Sequence, residues 1–136
     1  MTRLAAIFAF FLFSAFSCSK EEEAAVEPLE KFPAYIVDVE APETAVVGST
    51  LPIKVFFQVN NSCGEFNRFE ADTKDKTTHI QVYPHYREGP CLMALFTREV
   101  VYEFKPTEPG TYTFRFTPKY SDQEIVKTIV VGETGD

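Results

Sequence analysis

Between residues 51 and 60 the chain alternates apolar and other side chains with a period of two, and this pattern constrains the fold more than any other feature. Leu51, Ile53, Val55, Phe57 and Val59 fall on one side, with Lys54, Gln58 and Asn60 on the other. Successive side chains of an extended strand point to opposite faces, so the pattern describes a strand with one face buried and one in water. The reading applies twice more. Tyr112, Phe114 and Phe116 stand against Thr111, Thr113, Arg115 and Thr117, and Val100, Tyr102 and Phe104 stand against Glu99, Glu103 and Lys105. No stretch beyond the first seventeen residues carries a persuasive amphipathic helical period. About seven runs read as strands, over 35–40, 51–60, 65–70, 77–86, 98–105, 111–119 and 124–131. Turn residues separate or edge them, at Pro42, Gly48, Gly64, Gly89, Pro90 and across 106–110. Half-apolar sheets must cover one another, which predicts an all-β antiparallel β-sandwich over 34–131, a usual span for a single core.

One local motif sharpens this expectation. Residues 108–114, Glu-Pro-Gly-Thr-Tyr-Thr-Phe, resemble the tyrosine corner of immunoglobulin-like domains. In those domains a Tyr opens the sixth strand and its hydroxyl bonds back to the preceding loop. The resemblance implies an immunoglobulin-like sandwich of about seven strands, with Tyr112 in the corner role. Phe114 stands where antibody domains place their second inter-sheet cysteine, and the chain has no Trp. The likeness is therefore to the wider sandwich family and not to antibody domains. An up-and-down barrel is the alternative, and the corner motif favours the sandwich.

The first seventeen residues carry a different signal. Arg3 supplies a positive charge, residues 4–13 are apolar throughout, and Ser14, Ala15, Phe16 and Ser17 lead into Cys18. The apolar stretch is shorter than the ~20 residues a membrane-spanning helix needs. Its length and flanks fit a signal peptide. Ala15, Ser17 and Cys18 resemble a bacterial lipobox, with Phe16 departing from the small residue usual there. The resemblance implies cleavage before Cys18, diacylglycerol on its thiol and acylation of its new amino group. Several acyl chains, at ~0.8 kcal/mol per buried methylene, hold a protein stably where one does not. Lys20, Glu21 and Glu22 follow, in a run that resembles the export signal of Gram-negative lineages displaying lipoproteins on the cell surface. The implied location is the outer membrane facing outward, with the periplasmic face as the alternative. A solvated acidic spacer is the plainer reading of that charge run. Residues 18–33 then form the lipidated cysteine and an acidic flexible linker, and 132–136 a disordered tail.

With Cys18 lipidated, Cys63 and Cys91 remain, and in an oxidising compartment such a pair reads as a disulfide. In a seven-strand order Cys63 follows the second strand and Cys91 the fourth. Those strands run the same way, so both cysteines belong at one end.

Charge and chemistry narrow the function. Without residues 1–17 the chain keeps 12 of its 13 basic residues against 20 acidic ones, a net charge near −8. This argues against nucleic acid, whose phosphates need a basic face. It also disfavours docking on anionic lipid beyond the acyl anchor. His79 and His85 lie on one expected strand about 20 Å apart, too far to ligate one metal unless the strand breaks at Pro84. Ser49, Ser62 and Ser121 lack a nucleophile-elbow sequence. Glu70, Asp72 and Asp75 fall in an expected loop without EF-hand spacing. The expectation is a protein without cofactor, metal or catalytic role.

Two segments are candidates for recognition. Ile80, Val82 and Pro84 would point inward, leaving Gln81, Tyr83 and His85 as an outward stripe of aromatic and polar groups. Residues 91–96, Cys-Leu-Met-Ala-Leu-Phe, are apolar on both faces, with Phe66 and Arg68 as candidate neighbours at the disulfide end. A buried strand or core-covering turn is the expected fate of 91–96, and an exposed partner site the alternative. The functional expectation is a lipid-anchored, non-catalytic binding module for an unknown protein or glycan. Its rivals are a periplasm-facing accessory subunit of an envelope complex and a protease-inhibitor-like domain. An exposed apolar patch would favour the subunit, a flat aromatic-polar face a soluble or glycan ligand, and a protruding rigid loop inhibition.

Overall fold

A computed structural model describes residues 28–116 and 123–133. The expected signal peptide, Cys18, Lys20, Glu21 and Glu22 lie outside the described residues, as do most of the expected linker and the end of the tail. After a short 3-10 turn, Leu29–Lys31, come eight strands. They are β1 (Tyr35–Glu40), β2 (Thr44–Val46), β3 (Leu51–Val59), β4 (Gly64–Lys74), β5 (Thr77–Tyr86), β6 (Phe96–Phe104), β7 (Gly110–Phe116) and β8 (Ile125–Gly132). Among the described residues, no helix is long and apolar enough to cross a membrane.

The strands form two sheets, β1-β3-β6 and β2-β8-β7-β5-β4, packed face to face as a β-sandwich. Alternation explains the packing. All five odd positions of β3, from Leu51 to Val59, are buried. Across from them Ile80 and Val82 of β5, Phe114 and Phe116 of β7, and Ile129 and Val131 of β8 complete the core. A chain of aromatic contacts runs along the seam between the sheets, Phe57 to Phe66, Phe69, Tyr102 and Phe114, with ring centroids 4.8–6.4 Å apart. Such tilted and edge-on pairs contribute about 0.5–1.5 kcal/mol each beyond simple burial. Burial also raises the Tyr102 hydroxyl above its ordinary pKa.

The corner expected at Tyr112 is formed: its hydroxyl donates to the Glu108 carbonyl at 2.9 Å. Gly110 enters this turn at φ +136°, a conformation closed to side chains with a Cβ, and Lys76 reaches across to the Pro109 carbonyl.

Each of the seven expected runs forms a strand, with 117–119 of the sixth lying outside the described residues, and three details differ. The three-residue β2 was not expected; it pairs parallel with β8, Thr44 opposite Val130, and is too short to show an alternation. β4 reaches Lys74, because the hairpin pairs without a gap up to Lys74 opposite Thr77. Glu70 and Asp72 therefore lie on a strand and not in a loop, while Asp75 occupies the turn at φ +56°. The third difference is in pairing: β5 lies beside β7, and the two run parallel, with Thr77 opposite Thr113 and Ile80 opposite Phe116. In immunoglobulin domains the third strand holds the place beside the sixth. Here the β4–β5 hairpin is inserted with its second strand innermost, which leaves β4 on the edge.

Candidate functional site

The disulfide end is built around a close approach of backbones. Cys63 and Cys91 are bonded, with Cα atoms 5.6 Å apart, joining the turn between β3 and β4 to the loop after β5. Cys63 is buried. Next to it, a Cβ on Gly64 would lie 2.5 Å from Val59 Cβ and 2.7 Å from the Tyr86 ring, so glycine is required there. The loop is fastened by more than the sulfur bridge. The Ser62 amide donates to the Leu92 carbonyl at 3.0 Å, and the Leu92 amide donates to Ser62 Oγ at 2.9 Å. The Arg98 guanidinium donates to the carbonyls of Ser62 and Gly64 at 3.0 and 3.1 Å.

This fastened loop points its apolar side chains into solvent. Leu92, Met93 and Leu95 are 71%, 83% and 66% exposed. The expectation that 91–96 is a buried strand or covering turn is therefore corrected. Pro90 and the disulfide lead the chain off the sheet, and β6 begins only at Phe96, whose ring packs against the core. Beside the loop is a small groove of about 160 Å³, lined by Leu29, Phe32, Tyr35, Tyr86 and Leu95. The segment entering the domain forms one wall. Its Glu30 carboxylate accepts the Tyr86 amide at 2.8 Å, and the Ala34 amide donates to the Val82 carbonyl at 2.7 Å. The incoming chain and the apolar loop thus share one end of the sandwich.

The second candidate is the outer face of the β4–β5 hairpin. A bulge at Asn67 shifts the register, so that Phe66 faces Pro84 and Arg68 faces Tyr83. The expected pairing of Phe66 with Arg68 on one surface is corrected by this bulge. Phe66 turns inward onto Phe57 and Phe69, while Arg68 turns outward. Inward Ile80, Val82 and Pro84 and outward Gln81, Tyr83 and His85 follow the alternation. Arg68 lies over the Tyr83 ring, 4.2 Å from its centroid, and reaches Glu70 at 2.8 Å. Burial, and after it the nearby Glu70 carboxylate, raise the Tyr83 hydroxyl above its ordinary pKa.

The register extends this face in both directions. His85 lies opposite Glu65, which pairs with Arg87 at 3.0 Å, and Gln81 lies opposite Glu70. Farther along, Glu70, Asp72, His79 and Gln81 border a shallow depression of about 400 Å³. Glu124 there approaches Arg115 at 3.1 Å and His79 at 3.9 Å. No three His, Cys, Asp or Glu side chains among the described residues are grouped to hold a metal ion.

The structure therefore brings Arg68, Gln81, Tyr83 and His85 onto one face, joins Cys63 to Cys91, and removes Phe66 to the core. Glu65, Glu70 and Arg87 were missed because they become neighbours of the stripe only through the hairpin register. A family model described as the ORF11 beta-sandwich domain matches residues 53–131. No curated protein and no solved structure matches the chain.

Proposed function

The chain belongs to the ORF11 β-sandwich domain family, and from that premise we propose a cell-envelope lipoprotein whose sandwich is a non-catalytic binding module for a macromolecular partner. The protein is held by lipid on Cys18 and displayed at the cell surface through Lys20, Glu21 and Glu22. The lipobox-like sequence supports the anchor. The observation that carries the binding role is the outer face of the β4–β5 hairpin. There Arg68, Gln81, Tyr83 and His85 share one open surface with Glu65 and Glu70. Aromatic and arginine side chains dominate recognition surfaces because they combine apolar area with hydrogen-bonding groups. Arg68 is already held by Tyr83 and Glu70, so little side-chain freedom is lost when a partner arrives. A protein or glycan rich in polar groups fits this face.

A photoreactive residue placed at Gln81 in intact cells tests the proposal. Cross-linked adducts at Gln81, absent from a control at Glu103 on the opposite sheet, are expected. Equal labelling at both positions, or none at Gln81, refutes the recognition face. The periplasm-facing subunit is the second reading, and the exposed apolar loop favours it. Protease shaving of intact cells separates the two: digestion of wild type and protection of a Lys20, Glu21 and Glu22 to Ala variant indicate surface display. Protection of both, with lysed cells cleaved, indicates the periplasmic reading.

A further inference from the structure

We propose that the loop at 92–95 docks the domain onto the bilayer that holds Cys18, with Leu92, Met93 and Leu95 entering the boundary between headgroups and acyl chains. The inference rests on lipidation of Cys18 as proposed above. Three observations place the bilayer there. The loop exposes three large apolar side chains close together, and Leu29 and Tyr35 extend the apolar surface along the adjoining groove. The chain enters the domain at this same end, where Leu29 and Phe32 face Leu95 across the groove and Glu30 is bonded to the end of β5. Nine residues lie between Cys18 and Pro28, ten backbone steps with a reach of at most ~36 Å, so this is the end that a lipid anchor holds near the membrane. The β4–β5 turn at Asp75 lies at the far end of the same long strands.

The chemistry of the loop suits this occupant. The disulfide and the reciprocal Ser62–Leu92 hydrogen bonds fix the loop beforehand, so insertion orders little that is not already ordered. Insertion of uncharged side chains also needs no anionic lipid, in keeping with a mature chain near −8. The tether supplies a high local concentration of membrane, so an apolar contact too weak to recruit a free domain still orients an anchored one. Docked this way, the sandwich stands on its disulfide end and presents the hairpin face sideways, clear of the lipid.

The chain has no Trp, so Leu92→Trp creates a single reporter. Lipidated protein is purified from membranes and reconstituted in phosphatidylcholine vesicles with or without brominated acyl chains. Val101→Trp, on the exposed face of the three-stranded sheet, is the control. The expected result is a blue-shifted Leu92→Trp emission quenched about twofold or more by bromine, with Val101→Trp unaffected. Equal, weak quenching at both positions overturns membrane docking and points to a protein occupant for the loop. A mass spectrum of the same preparation reads the anchor separately. If Cys18 carries no lipid, the anchor reading falls and the docking inference falls with it. If Cys18 is lipidated and Leu92→Trp is not quenched, the docking inference alone falls.

Discussion

Removing the disulfide by the double substitution Cys63→Ala and Cys91→Ala tests how the sandwich is stabilised. The bond joins residues 28 positions apart. Closing such a loop lowers the entropy of the unfolded chain by an amount that corresponds to about 3.6 kcal/mol at 25 °C. The folded side of the balance changes little. Reciprocal Ser62–Leu92 hydrogen bonds and the Arg98 guanidinium hold the loop in place without the sulfur bridge. For a domain of about 100 residues, 3.6 kcal/mol corresponds to a fall in Tm of about 17 °C. Urea unfolding of the oxidised protein and the double variant gives the free-energy difference from the midpoints. The slope should rise slightly in the variant, because its unfolded chain exposes more surface. A loss below about 1 kcal/mol would refute the reasoning and show that the unfolded chain gains little freedom when the bond is removed.

Three further outcomes follow from single sites. Gly64→Ala forces a Cβ against Val59 and the Tyr86 ring and should cost about 1–3 kcal/mol in urea unfolding; a neutral effect would refute the close approach. Tyr112→Phe removes the bond to the Glu108 carbonyl and should cost about 1 kcal/mol by the same assay, with the fold retained in circular dichroism. The hydroxyls of Tyr83 and Tyr102 have raised pKa values, so their contribution to stability is present below the ordinary tyrosine pKa and is lost as pH rises through the folded values. Absorbance titration should show Tyr102→Phe removing one late-ionising group. Glu70→Gln should move Tyr83 back toward its ordinary value, and an unchanged titration would remove Glu70 as a cause.

What the sequence reveals depends on whether neighbours along the chain or across space decide a position. The long strands are legible because Leu51 to Val59 and Tyr112 to Phe116 repeat with the period of the pleat. The tyrosine corner is legible because Gly110 and Tyr112 lie within one short turn motif. The disulfide is legible because Cys63 and Cys91 are the two cysteines left once Cys18 is set aside, and both follow strands that run the same way. By contrast, the parallel contact of β5 with β7 is decided by how a whole hairpin lies in the sheet. The face of Phe66 was misread because one extra residue, Asn67, reverses the alternation, and no local signal marks that bulge. The loop at 91–96 was misread for a different reason. Its composition favours burial, but Pro90 and the bond at Cys91 hold it away from the core that would bury it. Under the proposed lipid anchor, this conflict between composition and exposure points to a second surface that completes the burial.

In the proposed function a disulfide-fastened sandwich works from a lipid anchor on Cys18. Its most direct test is the mass of the protein extracted from membranes, followed by fragmentation of its first peptide. The expected species is a chain beginning at Cys18, with diacylglyceryl on the thiol, acylation of the amino group, and Cys63 bonded to Cys91. A chain that retains residues before Cys18, or that begins there with an unmodified thiol, would contradict it.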